Sequence, residues 1–225
     1  MSDKVKNFYL EIKQNKTTVD KNYKNHMILP NSRIALIGGS GTGKTQFLLN
    51  FLDRCGPKFY EIYIYTTDVE EPLLLLIKSK IPEAIITNNI EDIPPISEFS
   101  EDKTHQKLIV FDDFITLNSK QMKILEDYAI AGRKFGFTSI FMAQNYRQIP
   151  KNITRNLNYI ILFKLNDATT LRSILFNHNI HDISKEKLKY FYNIATRDKF
   201  NFLLLDLNVE NKDIAYRHNF LNILH

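Results

Sequence analysis

The sequence reads Ile34-Ala35-Leu36-Ile37 and continues directly as Gly38-Gly39-Ser40-Gly41-Thr42-Gly43-Lys44-Thr45. The four apolar residues are typical of a strand that is buried on both faces of a parallel sheet. Apolar residues at helical spacing over 46–54 predict an amphipathic helix, which Gly56-Pro57 ends. Strand, glycine-rich turn and helix therefore follow one another in the order that a phosphate-binding loop requires.

The turn matches the pattern G-x-x-x-x-G-K-[ST] over its full length, residues 38–45. Its glycines allow positive φ angles, so that backbone N–H groups can close around phosphate oxygens at the amino end of the helix. We expect Lys44 to reach the β- and γ-phosphates, and the Thr45 hydroxyl to ligate Mg²⁺. The residues predicted to bind the nucleotide are Gly38, Gly39, Ser40, Gly41, Thr42, Gly43, Lys44 and Thr45.

Another apolar strand, over residues 108–111, is followed directly by Asp112-Asp113. We expect Asp112 to hold Mg²⁺, directly or through water, and Asp113 to orient or deprotonate the attacking water. Two aspartates at the end of a strand are by themselves only moderately specific for a magnesium site. The alternative is an ordinary strand end that is exposed to solvent. The phosphate-binding loop upstream favours the magnesium interpretation.

Further polar residues near the next strand, over 137–143, are candidates for contact with the γ-phosphate. Gln144 follows this strand and can sense the phosphate or position water, although a glutamine that merely caps a strand has the same spacing. An arginine supplied in cis or in trans stabilises the charge that develops during phosphoryl transfer. Arg133 is our first candidate for such an arginine from a neighbouring subunit, followed by Arg155 and Arg147, and a surface salt bridge is the alternative for each.

Alternation of apolar strands with helices predicts an α/β fold of the P-loop NTPase type, with a doubly wound, mainly parallel sheet and helices on both faces. Residues 1–30 are expected to form a polar extension or peripheral segment, and residues 31–225 one ATPase domain. The predicted strands cover 34–37, 61–65, 84–87, 107–111, 137–143, 159–163 and 202–207. The predicted helices cover 46–54, 71–80, 119–131, 167–177 and 184–197, and the segment 88–106 is predicted to be mostly loop.

Composition excludes several other classes of protein. The 225 residues are 44% hydrophobic and 24% charged with one cysteine, which excludes a mainly disordered chain, a collagen-like repeat and a disulfide scaffold. The net charge of +5 permits a polyanion such as DNA as a partner without requiring one. The longest apolar runs, 73–77 and 159–163, are far shorter than the roughly 18 residues of a membrane-spanning helix.

Motifs of other P-loop proteins are missing from the sequence. The guanine-binding pattern Asn-Lys-x-Asp has no match, since Asn211-Lys212-Asp213-Ile214 places the aspartate one position early. The pattern Leu-Ser-Gly-Gly-Gln of transporter ATPases does not occur either. These absences favour an ATPase that carries its own hydrolytic carboxylates.

Taken together, several blocks resemble the genome-packaging ATPases of poxviruses, other large nucleocytoplasmic DNA viruses and virophages, which belong to the FtsK–HerA superfamily. The resemblance covers about residues 26–220. Its blocks are His26 to Arg33, Gly38 to Thr45, Leu108 to Asp113, Gly132-Arg133-Lys134, Ser139 to Tyr146, Ile149-Pro150, Arg155-Asn156 and Tyr216 to Phe220. Cellular members usually carry Asp-Glu where this chain has Asp112-Asp113, which leaves the assignment of Asp113 as the base open.

This resemblance implies a motor that pushes double-stranded DNA into a capsid and hydrolyses ATP between the subunits of a pentameric or hexameric ring. It also implies capsid or capsid-associated proteins as partners, and a location in the host cytoplasm at the virus assembly site or in the virion. The basic residues between 147 and 155 are the candidate DNA contact, since the segment 88–106 is net acidic. The alternatives are a RecA- or AAA+-type helicase or helicase loader, and a nucleotide-dependent assembly protein without catalysis.

Overall fold

The computed structural model describes residues 20–167, 169–178, 180, 183–209 and 211–225. The strands are β1 (Arg33–Ile37), β2 (Glu61–Tyr65), β3 (Ile85–Thr87), β4 (Lys107–Asp112), β5 (Phe137–Ala143), β6 (Tyr159–Leu162), β7 (Leu203–Asp206), β8 (Tyr216–His218) and β9 (Asn222–Ile223). The helices are α1 (Tyr23–His26), α2 (Lys44–Cys55), α3 (Pro72–Lys80), α4 (Ser119–Ala131), α5 (Lys151–Thr154), α6 (Thr169–Asn177) and α7 (Lys185–Ala195). Residues 1–19 of the predicted extension and residue 168 of a predicted helix lie outside the described residues.

In the described part of the chain, nine strands form one sheet in the order β3-β2-β4-β5-β1-β6-β7-β8-β9. All pairs from β3 to β6 are parallel, so the carboxyl ends of these strands share one edge of the sheet. The expected α/β fold with a mainly parallel sheet is thereby confirmed. No helix in the described ranges is both long enough and apolar enough to cross a membrane.

The carboxyl-terminal part of the sheet differs from the prediction. Strands β7, β8 and β9 pair in antiparallel fashion beyond β6, and the last two of them lie after residue 207, where no further strand is predicted. Strands β8 and β9 are two or three residues long and include polar residues, so they carry no apolar run and only tertiary pairing reveals them. The segment predicted as loop before β4 also contains two 3₁₀ turns, Ile90–Asp92 and Ile96–Glu98.

Helices cover both faces of the sheet, as the buried residues of β1 illustrate. Ile34 and Leu36 pack into the layer formed with α2 and α3, whereas Ala35 and Ile37 pack into the layer formed with α4, α6 and α7. Successive side chains of a strand point to opposite faces, so a strand covered on both sides must be apolar throughout. The central position of β1 places the glycine loop that follows it in the middle of the carboxyl edge.

The last residues of the predicted extension pack against the domain. His26 and Ile28 are fully buried, and the backbone N–H of Leu29 donates to the Tyr159 hydroxyl across 3.1 Å. The carbonyl of Met27, in the left-handed conformation at the end of α1, accepts a hydrogen bond of 3.0 Å from Arg217 Nη1. Residues 20–29 are therefore joined to the sheet from both β6 and β8.

Arg217 on β8 is the largest fully buried side chain, with 1% of its surface exposed. Its Nη2 lies 3.5 Å from Asp206 Oδ2 on β7, and its Nη1 also donates to the carbonyl of Phe220 across 3.2 Å. Burial lowers the Arg217 pKa and the neighbouring Asp206 carboxylate opposes that shift. The guanidinium thus joins the amino-terminal segment, β7 and the carboxyl-terminal turn.

We predict that Arg217→Ala lowers the free energy of unfolding by about 3 kcal/mol, because a buried cation and its hydrogen bonds are removed together. Urea denaturation followed by circular dichroism measures this change. Arg172→Ala, at an exposed position of α6, is the matched control and should change stability by less than about 0.5 kcal/mol. Equal stability of the two variants would contradict a structural role for Arg217.

Candidate nucleotide-binding site

The loop over residues 38–43 connects β1 directly to α2. Gly41 has φ 69° and Gly43 has φ 117°, both in the region that residues with side chains rarely adopt. The twelve-residue helix begins at Lys44, so its free N–H groups and the positive end of its dipole face the loop. The backbone is therefore shaped to surround an anion.

Two other glycines of the loop are closely packed. A Cβ on Gly38 would lie 2.6 Å from Phe163 Cβ and 2.7 Å from Thr42 Oγ1, and one on Gly39 would lie 2.8 Å from Asn166 Nδ2. The Thr42 hydroxyl donates to the Gly39 carbonyl across 2.8 Å and so closes the loop on itself. Gly38 requires glycine because Phe163 Cβ lies directly behind it, whereas the contact at Gly39 is with the end of the exposed Asn166 side chain, which can shift.

Lys44 connects the loop to the aspartates. Its Nζ donates to the carbonyls of Gly38 and Gly39 at 2.9 and 3.1 Å. Burial lowers the Lys44 pKa, while the carboxylates of Asp112 and Asp113 favour the charged form. The two halves of the site that the sequence predicts are thus close enough in space to act on one another.

The two aspartates lie at the end of β4, which is separated from β1 only by β5. Adjacent residues of an extended strand point to opposite faces, yet Asp112 and Asp113 both line the same cleft. The left-handed conformation of Asp113, with φ 48°, breaks the alternation and turns the chain there. Burial raises the Asp112 pKa, and Lys44 opposes this shift.

A cleft of about 310 Å³ opens between the loop and the aspartates. Of the predicted site residues, the structure brings together around it Ser40, Gly41, Gly43, Lys44, Thr45, Asp112, Asp113 and Gln144. Gln144 is exposed at the carboxyl end of β5, where its backbone N–H donates to Gln148 Oε1 across 3.1 Å. Because Gln144 lines the cleft, its side chain can contact a bound phosphate.

The predicted arginines lie elsewhere. Arg133 is exposed in the 3₁₀ turn before β5, close enough to Arg33 at the start of β1 to contribute to lowering the Arg33 pKa. That turn is at the amino edge of the sheet, opposite the cleft, and Arg155 also precedes its strand, β6. Arg147 alone of the three follows β5 at the carboxyl edge, with its Nε 3.3 Å from Ser173 Oγ. Arg133 stays a prediction about a neighbouring subunit.

Sequence analysis missed Glu71, whose carboxylate lines the cleft. It caps α3 by accepting the Leu74 N–H across 3.2 Å, and Thr45 and Asp112 influence its ionisation. Burial raises the Glu71 pKa, and the Asp112 carboxylate adds to the shift. The signal available in the sequence is that Glu71 follows β2. Because the carboxyl ends of neighbouring parallel strands meet at one edge, a residue after β2 is expected near the end of β4.

The donor set at this end of the cleft fits Mg²⁺. The Thr45 hydroxyl and the carboxylates of Asp112 and Glu71 are oxygen ligands of the kind that Mg²⁺ prefers. Asp113 adds another carboxylate, and Lys44 is the one cation among the described residues that line the cleft. A divalent ion would therefore balance the negative charge that these groups and a triphosphate bring together.

Together, the glycine loop after a central strand and the aspartates two strands away are the features of a P-loop NTPase fold. Solved structures share this fold at 14–20% sequence identity. The DNA-packaging ATPase B204 from Sulfolobus turreted icosahedral virus matches with a TM-score of 0.57 and 15% identity, over 87% of this chain and 99% of that one. B204 from Sulfolobus turreted icosahedral virus 2 in complex with AMPPCP gives 0.58 and 16%, over 84% and 96%. ATPases 2 and 3 of EssC from Geobacillus thermodenitrificans give 0.52 and 18%, over 86% and 40%.

The chain belongs to the family described as Poxvirus A32 protein, whose sequence model matches residues 20–205. Most of the domain therefore falls within the family, including the loop, both aspartates and Gln144. This membership confirms the resemblance inferred from the sequence blocks. A search of the curated proteins gives no match.

Proposed function

We propose that this chain is a motor that hydrolyses ATP to drive double-stranded DNA into a viral capsid. The observation that carries the proposal is the meeting of the phosphate-binding loop with Asp112 and Asp113 around Lys44, in a chain of the Poxvirus A32 family. Further support comes from the fold shared with B204, which is described as a DNA-packaging ATPase.

The predicted site residues that line the cleft have different roles in this proposal. The N–H groups at the start of α2 and the Lys44 ammonium hold the triphosphate, and Gln144 contacts the γ-phosphate. Thr45 and Asp112 would hold Mg²⁺, which neutralises charge on the phosphate oxygens when bound. Asp113 orients the attacking water or accepts its proton, since its carboxylate faces the same cleft.

The proposal also includes a ring of five or six subunits, in which a neighbouring subunit supplies Arg133. This side chain lies at the amino edge of its own sheet, whereas the cleft opens at the carboxyl edge. An Arg133 that touches ATP must therefore belong to a neighbouring subunit. We place the assembly at the virus assembly site in the host cytoplasm or in the virion, with capsid or capsid-associated proteins as partners.

We expect double-stranded DNA to bind without sequence preference and to stimulate ATP hydrolysis. If Arg147, Lys151 and Arg155 each contact a phosphate, affinity should fall about 40-fold between about 50 and 200 mM salt. Fluorescence anisotropy of a labelled duplex, measured across salt concentrations alongside phosphate release, tests both expectations.

The control for these three basic residues uses three exposed lysines of α7. Alanine at Lys185, Lys187 and Lys189 should leave the salt dependence unchanged, whereas alanine at Arg147, Lys151 and Arg155 should reduce it. Binding that ignores ionic strength would refute the DNA contact. Strand separation in the same assay would favour a helicase, and a protein that binds ATP without hydrolysing it would favour an assembly role.

A further inference from the structure

Phe200 is an exposed aromatic residue in a strained backbone conformation. It lies in the turn between α7 and β7, with 47% of its surface exposed and φ 71°. Aromatic side chains rarely adopt this left-handed region, and such strain persists where the surroundings hold it in place, often at ligand sites. Packing in the core does not account for a ring that is half exposed.

The ring lies directly against the phosphate-binding loop. A Cβ built on Gly43 would be 3.1 Å from both the Cα and the ring Cδ1 of Phe200, so the two residues are in close contact. Phe200 also lines the same cleft as Lys44, Thr45 and Asp112. A molecule held by the loop therefore has this ring as a neighbour.

The order of the strands places Phe200 on the side of the loop that faces away from the aspartates. Strand β4, which ends in Asp112, lies two positions from β1 on one side, and β7, which Phe200 precedes, lies two positions from β1 on the other. Because β7 is antiparallel to β6, its amino end lies at the same carboxyl edge. The aspartates and Lys44 take the phosphate end of a nucleotide, so the other end extends toward Phe200.

We propose that Phe200 is the platform on which the adenine base of ATP stacks. This proposal rests on the proposed function, since it assigns the second end of the same nucleotide. Lys199 Nζ lies 4.8 Å from the ring centroid in a cation–π contact, and 47% of the surface of Phe200 remains exposed for contact with a base. Stacking on a ring of this kind recognises the base by its π-face.

A tryptophan at this position gives a direct readout, because the chain contains none. We expect Phe200→Trp to bind ATP, because an indole ring also offers a stacking face, and to lose fluorescence when ATP is added. The control is Phe176→Trp, on α6, where the phenylalanine is 88% exposed. Its fluorescence should not change when ATP is added. Unchanged fluorescence of the Phe200→Trp variant at saturating ATP would overturn the proposal.

A second variant separates stacking from folding. Phe200→Gly keeps a residue that accepts the left-handed backbone, so the turn is preserved while the ring is lost. Binding of ATP should weaken about tenfold, whereas binding of inorganic tripolyphosphate should change less than about twofold. Titration calorimetry on the full chain measures both ligands.

The outcomes distinguish this inference from the function on which it rests. Unchanged ATP affinity in Phe200→Gly, or equal weakening of ATP and tripolyphosphate, would show that the ring does not recognise the base and would overturn the stacking role alone. A wild-type protein that binds neither ligand would overturn the proposed function, and the stacking role with it.

Discussion

Lys44→Ala should lower the rate of ATP hydrolysis by at least about 100-fold. The Lys44 ammonium is held at the start of α2 by the Gly38 and Gly39 carbonyls, beside both aspartates. A positioned positive charge that faces the transferred phosphoryl group contributes to catalysis on this scale. Steady-state phosphate release with Mg²⁺ and double-stranded DNA measures the loss.

The control for this variant is Lys189→Ala, which removes the same charge from an exposed site on α7 and should retain full turnover. Because Lys44 also bonds to the loop backbone, thermal unfolding of both variants must accompany the assay. A folded Lys44→Ala protein that keeps more than about a tenth of the wild-type rate would refute the assigned role.

Asp113→Asn should lower the hydrolysis rate by about 100-fold or more and leave ATP affinity within a few-fold of the wild type. The substitution keeps the shape of the side chain and removes the carboxylate to which we assign proton acceptance or orientation of the water, a contribution of about 100- to 10,000-fold. Single-turnover hydrolysis, combined with equilibrium binding of ATP, separates the two effects.

Two carboxylates of the same cleft serve as comparisons for Asp113. Asp68→Asn, at an exposed position of the lining, should behave as the wild type. Glu71→Gln tests the Glu71 carboxylate, which interacts with Thr45. Normal turnover in Asp113→Asn together with lost turnover in Glu71→Gln would assign the water-activating role to Glu71 instead.

The parts of the fold that the sequence predicts are those encoded locally. Apolar runs, short for β3 and longer for the others, predict the parallel strands from β1 to β6, and the glycine pattern predicts the turn into α2, because both depend on neighbouring residues. Strands β8 and β9 escape prediction since a few residues carry no period. The buried Arg217 likewise looks like an ordinary polar tail residue until Asp206 and Met27 surround it.

In the candidate site, too, some features are encoded by neighbouring residues and others depend on the tertiary fold. Lys44, Thr45, Asp112 and Asp113 are recognisable because their chemistry requires fixed residue types next to a strand end. Their meeting in one cleft depends on strand order, and the shared orientation of the aspartates depends on the left-handed Asp113. Glu71 and Phe200 carry no motif and reach the cleft only through the topology.

The sequence alone does not predict where the arginines lie relative to the cleft. The sequence places Arg133 next to the strand that precedes Gln144, which suggests proximity to the phosphate. In the fold, the two ends of that strand lie at opposite edges of the sheet. Only contact between subunits can bring Arg133 to a cleft.

Titration of the full chain with a non-hydrolysable ATP analogue in the presence of Mg²⁺ tests most directly whether the loop and the aspartates form one nucleotide site. We predict saturable binding at one site per chain in the wild type, and binding at least about tenfold weaker in Lys44→Ala. Wild-type protein that binds no nucleotide, or a folded Lys44→Ala variant of equal affinity, would contradict this assignment.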